Sequence, residues 1–362
     1  MDIHDFIHPL LTAEDKQAVI NVLNEGVLSD FRGAKGDRYY GGKYVRQLED
    51  DFKEYIGTKY AVSFNSATAA LHAACIIAEV KEAIVTPFSF SSSASCVNMA
   101  GGTPVFCDIE DETWCMDTNL IKGLITPNTN VIIPVDLCGH PASAVEDIGL
   151  FVIEDASQAV GATFRGRRTG TFGDCGVFSF NECKHMACGE GGMLTTNRED
   201  VWEKACWIRN HGEAVGELLG YNYRLGEMEA ALISSQLKRL EKQIEQRVEM
   251  AEYLTHRLSH IDELTCPVVK PECTHVYYTY GIKVKRNRDK IVEYINAHGV
   301  YMGAGYNRPL NRLPIHNKGN CPVADRMFDT ELMMTCITRP PATLSDMKYV
   351  ANVIEEAIRR HA

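Results

Sequence analysis

Lys184 lies in a short connection between two apolar runs, a setting that can turn a lysine into a nucleophile. The runs at residues 176–180 and 189–196 are typical of buried strands, and the second begins at a Gly-Glu-Gly-Gly turn. Because the connection is too short for a helical crossover, the sequence predicts a hairpin or tight excursion. Loss of hydration beside apolar neighbours would lower the pKa of the ammonium group. On residue type alone, a solvated loop lysine is the more common case.

A candidate anion site is formed by Ser66, Ala67 and Thr68, which follow a predicted strand and begin a predicted helix. Free backbone N–H groups at a helix N-terminus, with two hydroxyl groups beside them, suit a phosphate. A plain N-cap is the simpler interpretation of such a serine or threonine. Ser179, at the end of the strand before the lysine, is a candidate for a second phosphate donor.

Three further side chains stand at or just after predicted strand ends: Phe90, Asp155 and Gln158. Asp155 could hold a protonated ring nitrogen, Gln158 could reach a neighbouring ring substituent, and Phe90 could lie flat on an aromatic ring. Taken alone, a helix cap explains Asp155 better and a core position explains Phe90 better. Together with the phosphate site and the lysine, they form the set that pyridoxal phosphate (PLP) requires, a Schiff-base lysine and a carboxylate that keeps the pyridine protonated.

The elements that would position these residues alternate between short apolar runs and helical patterns. This alternation predicts an α/β fold with a mostly parallel sheet covered by helices, in which ligands gather at the carboxyl ends of the strands. Besides the hairpin, the predicted strands are residues 60–64, 83–85, 104–108, 131–136 and 150–154.

A change of pattern follows a single long helix predicted at residues 227–258. A strand at 276–284 and helices at 288–298 and 344–360 indicate a smaller α+β unit. We therefore predict a large PLP-binding domain, residues 1–245, and a small C-terminal domain, residues 246–362.

The composition of the chain argues against several classes of function. A net charge of −11 and a pI near 5.6 argue against a nucleic-acid footprint, which needs clustered positive charge. No apolar run is long enough to span a bilayer, and the N-terminal stretch lacks a basic region followed by an apolar core. The thirteen cysteines include no Cys-x-x-Cys pair. These features predict a reduced, cytoplasmic protein without a metal site, which binds neither membrane nor nucleic acid.

The sequence resembles the DegT-type nucleotide-sugar aminotransferases, a branch of the fold type I (aspartate aminotransferase-like) PLP enzymes. The resemblance covers nearly the whole chain and is strongest from residue 60 to residue 240. The stretches that carry it are, in chain order, AVSFNSATAALHAA, IVTPFSFSSSASCVNMAGGTPVFCDI, LCGHPA, VIEDASQAVGATFRGRRTGTFGDCGVFSF, CKHMACGEGGMLTTN and GYNYRLGEMEAALISSQLKRL.

The resemblance implies a role for each matching residue. It places Ser66, Ala67, Thr68 and Ser179 on the cofactor phosphate, Phe90 on the ring, Asp155 at the pyridine nitrogen, Gln158 near the ring hydroxyl and Lys184 in the Schiff base. Asn222 is implied to serve the phosphate of a neighbouring subunit, which predicts a homodimer with shared active sites; a turn asparagine is the alternative. Related sugar 3-dehydratases carry histidine where this chain has Lys184, so lysine implies aminotransfer.

The acceptor side departs from the family pattern, because the usual histidines are missing from the stretch at residues 306–312. Tyr306, Arg308 and Arg312 are candidates for substrate binding there, and His185 is another, with packing as its alternative. Arg339, with Arg308 and Arg312, could recognise a phosphate or carboxylate, or lie on the surface.

The resemblance therefore implies a PLP-dependent aminotransferase that moves an amino group from an amino acid, L-glutamate, to a keto-sugar linked to a nucleotide. A cyclitol ketone or keto-sugar acid is the alternative acceptor. A non-catalytic PLP-binding regulator and a plain interaction protein are the alternatives from other functional classes.

Overall fold

The computed structural model describes residues 10–34, 36–142, 148–216, 218–306, 308–316 and 319–362. Residues 1–9 of the N-terminal stretch, for which the sequence predicts no targeting segment, lie outside these ranges. So does Asn307, in the stretch that departs from the family pattern.

The first part of the chain builds a large sheet and its covering helices. Its elements are α1 (Ala13–Glu25), α2 (Lys43–Ile56), β1 (Tyr60–Phe64), α3 (Ala67–Ile77), β2 (Glu82–Val85), α4 (Ser92–Met99), β3 (Thr103–Phe106), α5 (Ile121–Leu124), β4 (Thr129–Ile133), β5 (Phe151–Asp155), β6 (Thr163–Phe164), β7 (Arg167–Arg168), β8 (Cys175–Ser179), β9 (Gly192–Thr196) and α6 (Glu199–Arg209). Short 3₁₀ turns lie at Asp37–Tyr40, Thr118–Leu120 and Leu137–Gly139.

Among the described residues the large sheet has seven strands in the order β1-β9-β8-β5-β4-β2-β3. The pairs from β8 to β3 are parallel, and β9 runs antiparallel to both β1 and β8. The predicted hairpin is therefore confirmed, as is the mostly parallel α/β architecture. It follows that the carboxyl ends of β5 and β8 lie side by side at one edge.

Side chains alternate between the two faces of the sheet along each strand, and helices cover and bury both faces. On β1, Val62 and Phe64 join a hydrophobic cluster with α3, while Ala61 joins a different cluster with α2. Helices on both faces hold the strand ends in place, which makes them a rigid platform for functional side chains.

The second part of the chain builds a smaller, three-stranded antiparallel sheet, β10-β11-β12. Its elements, with the helices that precede it, are α7 (Glu227–Leu237), α8 (Leu240–Leu258), β10 (Leu264–Thr265), β11 (Tyr280–Val284), α9 (Arg288–Ala297), a 3₁₀ turn (Leu310–Arg312), α10 (Pro322–Arg326), a π-helical turn (Met327–Glu331), β12 (Leu332–Thr335) and α11 (Leu344–His361). None of the helices within the described ranges combines the length and the apolar character that crossing a bilayer requires.

The single long helix predicted at residues 227–258 is wrong, because the chain breaks it between α7 and α8. No glycine or proline marks the break. Arg239 leaves helical geometry there, with φ −119° and ψ 7°, and its Nη1 donates to Oδ1 of the buried Asp15 at 2.7 Å. A tertiary contact to α1 thus overrides local helix propensity. The domain boundary predicted near residue 245 falls inside α8 and stays a prediction.

The strand predicted at residues 276–284 is shorter than expected, because β11 begins only at Tyr280. Two of the four residues before it bond to a different segment: Val276 N donates to the carbonyl of Gly139, and Thr279 N donates to that of Cys138. Tyr277 between them has a positive φ of 46°. This detour takes the neighbouring Tyr278 to the functional site.

Candidate active site

A cavity of about 520 Å³ opens where the carboxyl ends of β5 and β8 face the smaller sheet. The large-sheet wall includes all the residues predicted to bind the cofactor except Asn222, namely Ser66, Ala67, Thr68, Phe90, Asp155, Gln158, Ser179 and Lys184. Segments that flank β11 and β12 form the opposite wall. Residues more than a hundred positions apart in the chain thus converge on one space.

Lys184 projects into this cavity from the connection between β8 and β9. Its Nζ lies 4.3 Å from the ring centroid of Tyr278, a cation–π contact. Burial lowers the pKa of the Lys184 ammonium below its ordinary value of 10.5. A larger share of the amine is therefore neutral near pH 7 than for a solvated lysine, which is the state that attacks a carbonyl carbon.

Asp155 ends β5 with its carboxylate in the same cavity. The hydroxyl group of Ser93 donates to Oδ2 at 2.7 Å, and the backbone N–H of Ser157 donates to Oδ1 at 3.3 Å. Ser93 in turn lies 2.9 Å from the hydroxyl group of Ser89. Two contacts thus hold the carboxylate in one orientation, as required for facing a ring nitrogen.

Gln158 is held at both ends of its amide. Its Oε1 accepts from the backbone N–H of Cys138 at 2.9 Å, and its Nε2 donates to the hydroxyl oxygen of Tyr306 at 2.9 Å. The ring of Tyr306 packs edge-on against Phe88, with centroids 5.1 Å apart. Gln158 therefore connects the large-sheet wall of the cavity to its acceptor side.

The proposed phosphate site lies at the N-terminus of α3. Ser66 caps the helix, accepting from the backbone N–H of Ala69 at 3.1 Å. β9 presses closely on this helix end: a Cβ on Gly192 would lie 2.5 Å from the nitrogen of Ala67. Any larger residue at Gly192 would displace the N-terminus of α3, so the position of the predicted phosphate site depends on this glycine.

Phe90 lines the cavity with 62% of its surface exposed. The core position that residue type alone favours does not hold for this ring, whereas the neighbouring Phe88 is fully buried. An aromatic ring that remains exposed inside a cavity is suited to stacking on a planar ligand.

The structure places several predicted residues away from the cavity lining. His185 is buried on the reverse side of the loop, where its Nε2 lies 3.1 Å from the carbonyl of Val276. Arg308 is exposed, and Arg312 is bound to Asp329 by two hydrogen bonds of 2.7 and 2.8 Å. Arg312 is thus engaged in an intramolecular ion pair.

Asn222 is also outside the cavity of its own chain. It is exposed, and its Oδ1 accepts from Nε of Arg224 at 2.9 Å. Its side chain is held by a neighbour on the surface, and a contact across a dimer stays a prediction.

Sequence reasoning missed Ser93, Tyr278, Cys183 and Cys336, which reach the site only in the folded chain. Ser93 stands in a serine-rich run that begins α4, a weak signal for a role in binding. Tyr278 lies inside the run predicted as a strand, and nothing in the sequence distinguishes it from its neighbours. The Sγ of Cys183 lies 3.1 Å from the hydroxyl oxygen of Tyr278 and so helps to orient that ring.

A known protein family matches this chain over most of its length. The model of the DegT/DnrJ/EryC1/StrS aminotransferase family matches residues 27–355. The chain belongs to this family. DegT-type aminotransferases are PLP-dependent, and PLP is the cofactor of this one.

Individual relatives of this DegT-type aminotransferase cover most of its length. GDP-perosamine synthase of Caulobacter vibrioides is 33% identical over 278 residues, which are 72% of this chain and 75% of that enzyme. UDP-N-acetyl-3-dehydro-alpha-D-glucosamine 3-aminotransferase of Acidithiobacillus ferrooxidans is 32% identical, over 88% and 89% of the two chains. The structure of an aminotransferase from Psychrobacter cryohalolentis superimposes with a TM-score of 0.88, at 30% identity and 98% coverage of both chains.

The residues present fit PLP. The N-terminus of α3, where Ser66, Ala67 and Thr68 line the cavity, suits the phosphate, and the exposed ring of Phe90 suits the pyridine face. Asp155 would supply the carboxylate for the ring nitrogen, and Lys184 would supply the amine for the Schiff base, since both line the cavity. When bound, PLP withdraws electrons from the bonds of the substrate's α-carbon.

Behind Asp155 lies a buried pair of carboxyl groups, Asp136 and Glu154. Glu154 accepts from the backbone N–H groups of Gly170 and Phe172 at 2.7 and 2.9 Å. Asp136 Oδ1 accepts from Ala142 N at 2.7 Å, and a hydrogen bond joins the carboxyl groups of Asp136 and Glu154 when one of them is protonated. Burial, then the proximity of the second group, raises the pKa of Asp136 well above 3.8, and burial raises the pKa of Glu154 to about 7.

The contribution of this pair to the stability of the native protein falls as the pH rises. Each group binds its proton more tightly in the folded state, so its stabilising contribution is complete below the unfolded pKa and declines above it, by about 1.4 kcal/mol per pH unit. Asp136→Asn removes one titrating group and keeps an acceptor for Ala142. We expect the free energy of unfolding of Asp136→Asn, relative to that of the wild type, to increase by about 1.4 kcal/mol for each pH unit between pH 5 and pH 7.

Urea unfolding at several pH values measures this difference. Glu154→Gln also removes a titrating group, so its stability should gain on that of the wild type with rising pH in the same way. It starts from a lower level, because its amide NH₂ would face one of two backbone N–H donors. Parallel stability curves for the wild type and Asp136→Asn would contradict the assignment.

Proposed function

We propose that the protein moves an amino group from L-glutamate to the ketone of a sugar linked to a nucleotide. The proposal rests on one cavity that contains three of the predicted residues. Asp155 lies there at the end of β5, Lys184 in the connection after β8, and Phe90 shortly before α4. The two relatives described above are named for GDP-linked and UDP-linked sugars, which supports an acceptor of this class.

Lys184 has two tasks in this proposal. It holds the cofactor and, once the donor has displaced it, its Nζ takes the proton from the α-carbon of glutamate as a general base. A general base must be unprotonated, and the lowered pKa of Lys184 increases that fraction. Tyr278 orients the amine, because its ring lies 4.3 Å from Nζ.

The acceptor would enter on the side of the smaller sheet. Tyr301, Gly303 and Tyr306 line the cavity there, and no arginine stands among the described residues of its lining. A neutral wall with hydroxyl groups suits an uncharged sugar ring. Arg308, exposed two positions after Tyr306, is the arginine that we propose for an acceptor phosphate at the rim.

We also propose a cytoplasmic homodimer in which Asn222 reaches the phosphate site of the partner subunit. The exposure of Asn222, outside the cavity of its own chain, supports this role. The proposed domains are residues 1–245 and 246–362, and the separation of the seven-stranded sheet from the three-stranded sheet supports them.

A ketone panel tests the acceptor class. The PLP-loaded protein is given glutamate and then keto-hexoses linked to GDP, UDP or dTDP, the corresponding free sugars and a cyclitol ketone. We expect one nucleotide-linked ketone to be aminated with a kcat/KM at least about 100-fold above that of its free sugar, because remote binding energy contributes to turnover. Release of 2-oxoglutarate reports the donor half-reaction and the aminated product reports the acceptor half-reaction.

The alternatives give different outcomes in the same panel. Preferential amination of the cyclitol ketone would replace the nucleotide-sugar proposal and leave the aminotransferase assignment intact. If PLP binds but glutamate releases no 2-oxoglutarate, the protein is a regulator rather than an enzyme.

A further inference from the structure

A pit on the reverse side of the Lys184 loop contains two buried arginines. We call it the two-arginine pit; it is lined by Leu10, His185, Gln236, Gln243, Arg247, Arg339 and Pro340. None of these residues lines the 520 Å³ cavity. The pit is therefore a separate space that the proposed aminotransfer does not use.

Neither arginine has an acidic partner. Arg247 and Arg339 are each 3% exposed, and among the described residues no carboxylate forms an ion pair with either. Two other arginines have acidic partners: the fully buried Arg209 is paired with Glu49, and the partly buried Arg239 is paired with Asp15. Because a buried, unpaired charge is costly, two adjacent ones indicate that an anion is part of this site.

The hydrogen bonds of the two guanidinium groups are also incomplete. Arg247 Nη1 donates to the carbonyl of Tyr277 at 3.4 Å, and Arg339 Nη1 donates to that of Cys183 at 3.1 Å. Nε of Arg339 is buried and has no partner. A guanidinium group carries several N–H donors in a planar fork, so an acceptor in the pit could satisfy Arg339 Nε together with further donors of the two groups.

The two glutamines of the pit are already engaged elsewhere. Both ends of the Gln236 amide are used by the backbone of Ala187, at 2.9 and 2.7 Å. When the Gln243 amide is oriented so that both of its ends form hydrogen bonds, its oxygen accepts from Nε of Arg239. Glu182 on the same loop is exposed and contributes least of the groups that influence the pKa of Arg339.

The charged groups that line the pit are both positive, and they lower the pKa values of their neighbours. Burial, then the neighbouring Arg339, lowers the pKa of Arg247 to about 9. Burial, then Arg247, holds the pKa of His185 well below its ordinary value. A negative ion would relieve both effects.

We propose that the two-arginine pit binds a single halide ion, chloride, between the guanidinium groups of Arg247 and Arg339. Size selects this ligand, since the pit has a volume of about 20 Å³, space for one water-sized particle. A tetrahedral oxyanion such as phosphate or sulfate exceeds this space and would have to project out of the pit. Through Arg339, which donates to the carbonyl of Cys183, the ion also holds the residue that precedes Lys184.

Thermal unfolding of the PLP-loaded protein tests the proposal without any measurement of turnover, so its outcome is independent of the acceptor assignment. At constant ionic strength, replacing gluconate by chloride or bromide should raise Tm by about 2 °C or more, with saturation. Arg339→Met and Arg247→Met should abolish this rise. Arg359→Met, which changes an exposed arginine of α11, should retain it.

Bromide in a crystal of the unaltered protein provides a second measurement that survives any folding failure of the variants. We expect an anomalous peak within hydrogen-bond distance of Arg339 Nε. Equal Tm values in gluconate and chloride overturn the proposal, as does bromide density without a Tm effect, which would mark an adventitious ion only. Stabilisation by formate or acetate and not by halide would overturn it in favour of a carboxylate.

Discussion

Replacing Lys184 by alanine should reduce aminotransfer by at least about 1000-fold, because the change removes both the group that holds the cofactor and the base that moves the proton. The site offers no substitute amine: among the described residues of the cavity lining, Lys184 is the sole lysine. His185, the adjacent residue, cannot replace it, since its ring is buried against the carbonyl of Val276 on the other side of the loop.

Two measurements separate loss of chemistry from loss of structure. Borohydride reduction followed by mass spectrometry should attach PLP to the peptide containing Lys184 in the wild type and to no peptide in Lys184→Ala. The control is Lys290→Ala, an exposed lysine of α9, which should retain activity, visible absorbance and labelling. Full turnover in Lys184→Ala would refute the proposed mechanism.

Asp155→Asn should lower kcat by at least about 100-fold with PLP still attached, because an amide preserves the size of the side chain but removes its negative charge. A neutral partner no longer keeps the ring nitrogen protonated, so the cofactor withdraws electrons less effectively. The visible spectrum and single-turnover rates with glutamate would measure the effect. An unchanged kcat would exclude the carboxylate of Asp155 from catalysis.

Ser93→Ala is the matched control for this prediction. It removes the hydroxyl group that donates to Asp155 Oδ2 at 2.7 Å but retains the charge. We expect a loss of about tenfold, the effect of one hydrogen bond to a charged group. A loss as large as that of Asp155→Asn would show that orientation, rather than charge, is the main contribution of this group.

The location of the candidate site follows from patterns within short stretches. Apolar runs predicted β1, β5 and β8, and the short connection after β8 predicted the hairpin that carries Lys184. Because parallel strands end at a common edge, Asp155 and Ser179 had to lie near one another once those strands were assigned. Strand periodicity is a local property, which is why a single sequence reveals it.

Tertiary contacts alone decided other features. The break between α7 and α8 depends on Arg239 meeting Asp15, more than two hundred positions away, and no local signal marks it. The detour before β11 depends on backbone hydrogen bonds to Gly139 and Cys138, and it is what brings Tyr278 under Lys184.

The residue types and their order along the chain thus determined the cofactor chemistry, because that chemistry needs a lysine, a carboxylate, an aromatic ring and a helix N-terminus at strand ends. Only the tertiary structure decided which arginines face which space. Arg312 meets Asp329, and Arg339 turns behind the Lys184 loop beside Arg247. A long, flexible side chain has no periodicity of its own, so its partner is set by whatever the fold places within its reach.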